Sequence, residues 1–323
     1  MEYRTLTGTG VTVSRASLGT MTFGNETDEA TSIRMTHMAL DAGVTWVDTA
    51  DAYTMGRSEE IVGKALAGRR DDVVLASKVV NYAGGNRQRD VGLHRWHVID
   101  GVERSLRRLN TDRLDILYMH RPDYATPIEE TLAAFDTLVQ QGKVIYVGMS
   151  NYASWQLAEA RLKAEMHRWA PPVVTQVPYN LLTRRIEQEC LPFCREFKMG
   201  VTVYNPLGGG YLTGKYRPDT RPAEGARLGE SEAYYERYWK DANFRALARL
   251  EEIAAQAGVT MVELALRWLL AQESVDSILL GARTPEHLTS NLAALDGKLD
   301  AATVAACDEA WEIVKGVDFQ YNR

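Results

Sequence analysis

Four side chains in this sequence could move a proton between them: Asp48 after "TWV", Tyr53 five residues further on, Lys78 after "VVLAS" and His120 after "LDILYM". A phenol whose ordinary pKa lies near 10 is a poor acid at neutral pH. An ammonium beside it stabilises the phenolate, and a carboxylate paired with that ammonium holds it in position. Lys78 and Asp48 supply those two groups. His120 can donate a hydrogen bond to a substrate oxygen or assist the phenol, according to its protonation state.

Three more apolar runs end in polar or aromatic groups: Ser150 with Asn151, then Gln176, then Tyr204. Their amides and hydroxyl, beside an aromatic face, suit the carboxamide of a flat heterocycle such as nicotinamide. A strand end is exposed, so any one of these residues alone has an ordinary structural explanation. Six successive strand ends of this kind are harder to explain that way.

The elements that would position them alternate along the chain. Strands are predicted over Ala16–Thr20, Thr45–Ala50, Val73–Lys78, Leu114–His120, Ile145–Ser150, Val173–Val177, Gly200–Asn205 and Val275–Gly281. Amphipathic helical stretches lie between them, such as "EATSIRMTHMALDAG" with Gly43 as its stop and "TPIEETLAAFDTLVQQG" with Thr126 as a cap before Pro127. Short, continuously apolar strands, each followed by a helix, are what a parallel sheet buried on both faces requires. Eight such units predict an α/β fold, a closed (β/α)8 TIM barrel, with an open doubly wound sheet as the alternative. In such barrels the site forms at the C-terminal strand ends.

No linker divides the chain, which predicts a single domain over 1–323. Two regions break the alternation. "YRTLTGTGVTVSR" reads as a β-hairpin ahead of the first barrel strand. Residues 206–243 form a long loop after the seventh barrel strand, read as a lid over a site. Ser58 reads as the N-cap of the helix that follows Tyr53.

Of the 323 residues, 45% are hydrophobic and 25% charged, an ordinary globular balance. A net charge of -6 with no dense Lys/Arg block argues against nucleic acid. No run approaches a membrane span, and the N-terminus lacks the pattern of a signal peptide. Three cysteines form no disulfide framework, so a cytoplasmic location is expected. Cys190 and Cys194 share a helix face but lack a third ligand nearby, and no metal is expected. No heptad or apolar stripe points to an oligomeric state.

If a dinucleotide binds, its phosphates need a site, and no G-x-G-x-x-G follows the first strand. The candidates are "LGGGYLTGKY" and "GARTPEHLTSNL", the latter a turn with an arginine feeding a helix N-terminus. At this point the constellation resembles the aldo-keto reductases along nearly the whole chain. The motifs that carry the resemblance are "VDTADAYTMGRSEEIVGKAL", "ASKV", "DILYMHRPD", "VGMSNY", "VPYNLLTR", "VYNPLGGGYLTGKY" and "GARTPEHLTSNL".

The resemblance implies Tyr53 as general acid, with Asp48, Lys78 and His120 completing a tetrad. It implies that Ser150, Asn151 and Gln176 hold the nicotinamide amide and that Tyr204 stacks on the ring. Leu207, Gly209 and Lys215 fall on a loop that covers the pyrophosphate, Arg283 where a 2′-phosphate is met, and Asn291 where adenine is met. Gly19, Thr20, Met21, Asn205, Pro206, Leu212, Gly214, Gly281 and His287 complete the implied cofactor set, to which Asp48 also belongs. Two departures bear on cofactor preference: Ser290 stands where many members have a glutamate, and His287 where an arginine or glutamine is common.

The implied cofactor is NADPH/NADP+, with NADH as the alternative, and the implied partner a small-molecule carbonyl or alcohol. The long glycine-bearing loop is most similar to the branch containing sugar and aldehyde reductases and potassium-channel β subunits. That branch keeps open an NADPH-binding regulatory subunit with little turnover. A Schiff-base aldolase using Lys78 is a further alternative from the residues alone. Phe23, Trp155 and the aromatics of 234–239 are candidates for the substrate rim.

Overall fold

Two short strands, β1 (Tyr3–Thr5) and β2 (Thr12–Ser14), pair antiparallel across "TGTG", as the alternation there predicts. The strands that follow are β3 (Ala16–Gly19), β4 (Trp46–Asp48), β5 (Val74–Val79), β6 (Leu114–Met119), β7 (Val144–Ser150), β8 (Pro172–Pro178), β9 (Gly200–Tyr204) and β10 (Ser277–Gly281). All eight predicted barrel strands are present. They close in the order β10-β3-β4-β5-β6-β7-β8-β9, with helices between successive strands, as a (β/α)8 barrel. This computed structural model describes residues 1–223 and 225–316.

The chain divides into two compact units. The first comprises Met1–Val177, Ile186–Tyr204 and Ser274–Ser290, and it holds the hairpin and nearly all of the barrel. Within it, the pleat decides what the barrel encloses, because residues two apart share a face. Trp46 and Asp48 therefore face the same way, as do Ala76 and Lys78, Ile116 and Tyr118, and Val174 and Gln176. Trp46, Ala76, Ile116, Tyr118 and Val174 form one buried cluster with Leu6 and Val13 of the hairpin. The hairpin thus packs on the apolar layer, and Asp48, Lys78 and Gln176, two positions further along β4, β5 and β8, form the next layer. Gly148 makes room in the apolar layer, since a Cβ there would lie 2.4 Å from the Tyr118 ring.

Parallel register sets the neighbours of the polar layer: Asp48 beside Ala76, Lys78 beside Tyr118, and Ser150 beside Gln176. Helix Glu29–Asp41 caps at Ala42, and Gly43 follows at φ 89, which matches the predicted stop. Two predicted caps are corrected. Helix Arg57–Ala65 starts from Gly56 with no side-chain cap, because the Ser58 hydroxyl donates instead to the Thr20 carbonyl at 2.9 Å. Helix Ile128–Gln140 starts from Pro127, and the Thr126 hydroxyl turns to Asp123 at 2.7 Å.

The second unit comprises Pro178–Arg185, Asn205–Glu273 and Asn291–Arg323, described as far as residue 316. Helices Asp241–Ala257 and Ala301–Lys315 pack together, joined by an Arg249–Glu309 ion pair. The region read as a long loop contains a 3-10 turn, Gly208–Thr213, and helices Arg227–Glu230 and Glu232–Tyr238. Tyr211, Tyr238, Phe244 and Trp239 build an aromatic cluster there. Among the described residues no single helix is long and apolar enough to cross a membrane.

Candidate active site

Lys78 sits at the centre of the polar layer, its side chain shut off from solvent. Its Nζ donates to Asp48 Oδ1, to the Thr49 carbonyl at 2.7 Å and to the Tyr53 hydroxyl at 3.2 Å. The other Asp48 oxygen accepts from Gln176 Nε2 at 2.8 Å, so both carboxylate oxygens are satisfied in a buried setting. Burial alone would pull the Lys78 ammonium toward its neutral form. Asp48 and then the Tyr53 oxygen outweigh that effect, and the lysine pKa is raised above its usual value.

The chain reaches Tyr53 along a segment that stays bonded to the barrel beyond the end of β4. Thr49 N–H donates to the Ala76 carbonyl and Asp51 N–H to the Lys78 carbonyl. After Tyr53 come Thr54 and Met55 at φ 49 and 55, then Gly56 at φ 90. Left-handed conformation at non-glycine residues costs on the order of 1–3 kcal/mol each. Local contacts hold it: Thr54 Oγ1 donates to the Phe23 carbonyl at 3.0 Å, and the Arg108 side chain lies against Gly56, where a Cβ would meet its Cδ at 2.8 Å. Arg108 is itself fixed by Glu59, which also accepts from Ser77 at 2.5 Å.

The His120 ring lies 5.8 Å from the Tyr53 ring, centroid to centroid, edge to face. Burial, reinforced by the charges of Lys78 and Arg121, pushes the imidazole pKa down to about 3. That shift favours the neutral imidazole at physiological pH.

The next strand ends are linked by hydrogen bonds. Ser150 Oγ donates to the Gln176 carbonyl at 2.9 Å, and Asn151 Nδ2 to the His120 carbonyl at 3.0 Å. The Tyr204 hydroxyl donates to Asn151 Oδ1 at 2.7 Å. Asn151 adopts the left-handed conformation at φ 65, which turns the chain sharply after β7. A buried ammonium, a phenol, a neutral imidazole and an amide-lined aromatic edge can together protonate or deprotonate an oxygen next to a flat ring.

The pattern described as Aldo/keto reductase family matches residues 16–312. The chain belongs to the aldo/keto reductase family. A rice (Oryza sativa subsp. japonica) protein named as a probable voltage-gated potassium channel subunit beta is 36% identical over 302 residues, 92% of each chain. A rat protein (Rattus norvegicus) named aflatoxin B1 aldehyde reductase member 2 is 38% identical over 315 residues, covering 92% of this chain and 84% of the relative. An uncharacterized oxidoreductase of Bacillus subtilis (strain 168), YrpG, is 38% identical over 315 residues, 93% of each chain.

The other residues expected from likeness to the aldo/keto reductases lie in both units. In the first, Gly19 ends β3, and Thr20 is buried with its N–H and hydroxyl both donating to the Asp48 carbonyl at 3.0 Å. Met21 is exposed, Gly281 ends β10, and His287 is exposed on helix Pro285–Ala294. Arg283 forms an ion pair with Glu26. In the second unit, Asn205 stands at φ 61, and its Nδ2 donates to the Tyr238 hydroxyl at 2.8 Å. Pro206 is buried, Leu207 leads into the 3-10 turn and Leu212 is buried within it. Gly209 and Gly214 are left-handed, and a Cβ on Gly209 would lie 2.5 Å from the Tyr234 ring. Lys215 is exposed with its Nζ 5.1 Å from the Tyr216 ring centroid, and Asn291 is buried.

Phe23 is fully buried and belongs to the core, not to a substrate rim, whereas Trp155 is exposed. Three participants had no signal in the aldo/keto reductase motifs as read: the Thr49 carbonyl, Glu26 and Asn81. A backbone acceptor has no residue type to betray it. Asn81 stands three positions beyond Lys78, on the loop leaving β5, and a search of the loops after each strand end for amides would have found it.

Proposed function

We propose that this chain is an NADPH-dependent oxidoreductase acting on a carbonyl or alcohol carbon, with Tyr53 as its general acid and base. The observation that carries the reading is the triple engagement of Lys78 Nζ by Asp48, the Thr49 carbonyl and the Tyr53 hydroxyl. In reduction Tyr53 gives its proton to the carbonyl oxygen, and the Lys78 ammonium stabilises the phenolate left behind. Asp48 and Thr49 keep the ammonium in place through this change. Neutral His120 donates a hydrogen bond to the same oxygen and polarises it. In oxidation the phenolate takes the proton from the alcohol.

A bound nicotinamide would supply hydride in reduction and accept it in oxidation. The chemistry of the donor set fits it: Ser150, Asn151 and Gln176 would meet its carboxamide and Tyr204 its ring. Arg283 would meet a 2′-phosphate, exchanging Glu26 for it. Leu207, Gly209 and Lys215 would hold phosphate, with Asn205, Pro206, Leu212, Gly214 and Asn291 completing the cofactor-binding set. The aldehyde reductase relatives favour an aldehyde as substrate.

Oxidation of NADPH, and reduction of NADP+, measured across aldehydes, ketones, sugars and secondary alcohols tests the reaction class. Tyr53→Phe is expected to lower kcat by about 10²–10⁴-fold while NADPH affinity stays near that of the parent. A parallel collapse of affinity would remove Tyr53 from the role of acid. Arg283→Ala is expected to weaken NADPH about tenfold or more and to leave NADH nearly unchanged, since a charge-assisted contact contributes about 1.5–3 kcal/mol. Equal effects on both cofactors would overturn the 2′-phosphate assignment.

A second reading is favoured by the channel-subunit relative: a cofactor-binding regulatory subunit with little turnover. It predicts tight NADPH binding with no accepted substrate in the same screen.

A further inference from the structure

The hydrogen bonds around His120 reach one residue that the proposed reaction has not used. Asn81 Nδ2 lies 3.2 Å from His120 Nδ1, and Asn81 Oδ1 accepts from Arg121 Nε at 3.0 Å. A terminal amide could be turned either way round, exchanging its oxygen and nitrogen. Arg121 decides the matter, because a guanidinium carries only donors. Facing Arg121, Asn81 must present its oxygen, and its NH2 is thereby directed to the imidazole. That NH2 cannot accept a hydrogen bond. The histidine nitrogen it meets must therefore be the unprotonated one.

We infer that Asn81, oriented by Arg121, is a positioning residue that fixes His120 in the tautomer with its proton on Nε2. This inference rests on the proposed function for its consequence, since it is His120 that would meet the substrate oxygen. The ring has two nitrogens and, when neutral, one proton. With Nδ1 consumed as an acceptor, Nε2–H is the donor left on the ring, whose centroid lies 5.8 Å from that of Tyr53. Burial and the charges of Lys78 and Arg121 keep the ring neutral, so the tautomer and not the charge sets what it can donate. A second contact, from Asn151 Nδ2 to the His120 carbonyl, fixes the backbone but leaves the ring's proton undecided. Only the Arg121–Asn81 chain among the described residues bears on that choice.

The tautomer can be read without any turnover. In the full-length chain labelled with 15N at histidine, long-range proton–nitrogen correlation at pH 7 is expected to show His120 Nδ1 unprotonated and Nε2 protonated. A protonated Nδ1 in the parent overturns the inference outright. Asn81→Asp replaces the donor with an acceptor of nearly the same shape, so Nδ1 is expected to become protonated. With the neutral ring's one proton moved to Nδ1, the Nε2 donor is lost, and kcat is expected to fall about a hundredfold while NADPH affinity holds. A folded Asn81→Asp protein whose His120 keeps the parent tautomer also overturns it.

Arg121→Met removes the group that orients the amide and keeps Asn81 itself. It is expected to give a mixture of tautomers and a smaller loss in kcat. An unmixed parent tautomer in that variant refutes the part assigned to Arg121. A tautomer that switches in Asn81→Asp with kcat unchanged upholds the positioning role and instead removes His120 from the proposed reaction, so the two failures are told apart.

Discussion

Asp48 and Asp51 lie three residues apart on one segment, both buried, in opposite surroundings. Asp48 has a cation on one oxygen and an amide N–H on the other. Neither oxygen of Asp51 meets a donor in good geometry among the described residues. Burial first, and then the nearby charge of Glu59, raise the Asp51 pKa well above the usual carboxylate value; Arg108 and the Ala52 N–H offset only part of that. One aspartate thus has a partner on each oxygen, and the other is driven toward its neutral form. The segment sets its paired carboxylate against Lys78, where the lysine is held beside Tyr53, while the second carboxyl lies among the charges of Glu59, Arg108 and Arg104.

The sharpest way to break this contrast is to give Asp48 the surroundings of Asp51. Lys78→Met does so by stranding the carboxylate. Removing one member of a buried ion pair costs about 3–5 kcal/mol. The variant is expected to unfold at a markedly lower denaturant midpoint and to lose activity by several orders of magnitude. Lowering the pH protonates the stranded carboxyl and should return part of the lost stability. A loss that stays constant from pH 8 to pH 5 would mean that Asp48 does not need its cation.

Gln176→Leu tests the other half of the Asp48 environment and is expected to act more weakly. It removes a hydrogen bond to a charged group while leaving the ion pair intact, a loss of about 1–3 kcal/mol. Gln176 is also proposed to meet the carboxamide, so cofactor affinity should fall as well. Stability falling with affinity unchanged would confine Gln176 to the support of Asp48.

The contrast between the two aspartates also marks how far the sequence could be read. Asp48 was legible because it closes an apolar run, and strand periodicity alone aims it with Trp46 into the barrel. Lys78, His120, Ser150, Gln176 and Tyr204 followed by the same reasoning, and the eight strands were found within a few residues at each end. What lies beyond the strand ends was not legible, because loops obey no period. Ser58 looks like a cap in sequence, yet a tertiary contact with Thr20 claims its hydroxyl. Thr54 and Met55 are residues that disfavour positive φ, so nothing local predicts the turn after Tyr53; only Gly56 signals it. Asn81, Glu26 and the Thr49 carbonyl acquire meaning from chain segments distant in sequence.

Asp51→Asn should give the smallest effect, and one of the opposite sign. The folded-state pKa of Asp51 is raised, so between the ordinary value of 3.8 and the higher folded value the native chain keeps a proton that the unfolded chain has released. The contribution of that proton to stability is therefore fully present below about pH 3.8 and is lost as the pH climbs through the window. Asparagine has no proton to release and so no such slope. Parent and variant are expected to melt at similar temperatures near pH 4, with the variant drawing ahead as the pH rises to 8. Turnover should change little, because Asp51 contacts none of Asp48, Lys78 or Tyr53 through its carboxylate. Melting curves offset by the same amount at both pH values would show that Asp51 is as well accommodated as Asp48, and the contrast between the two would fall.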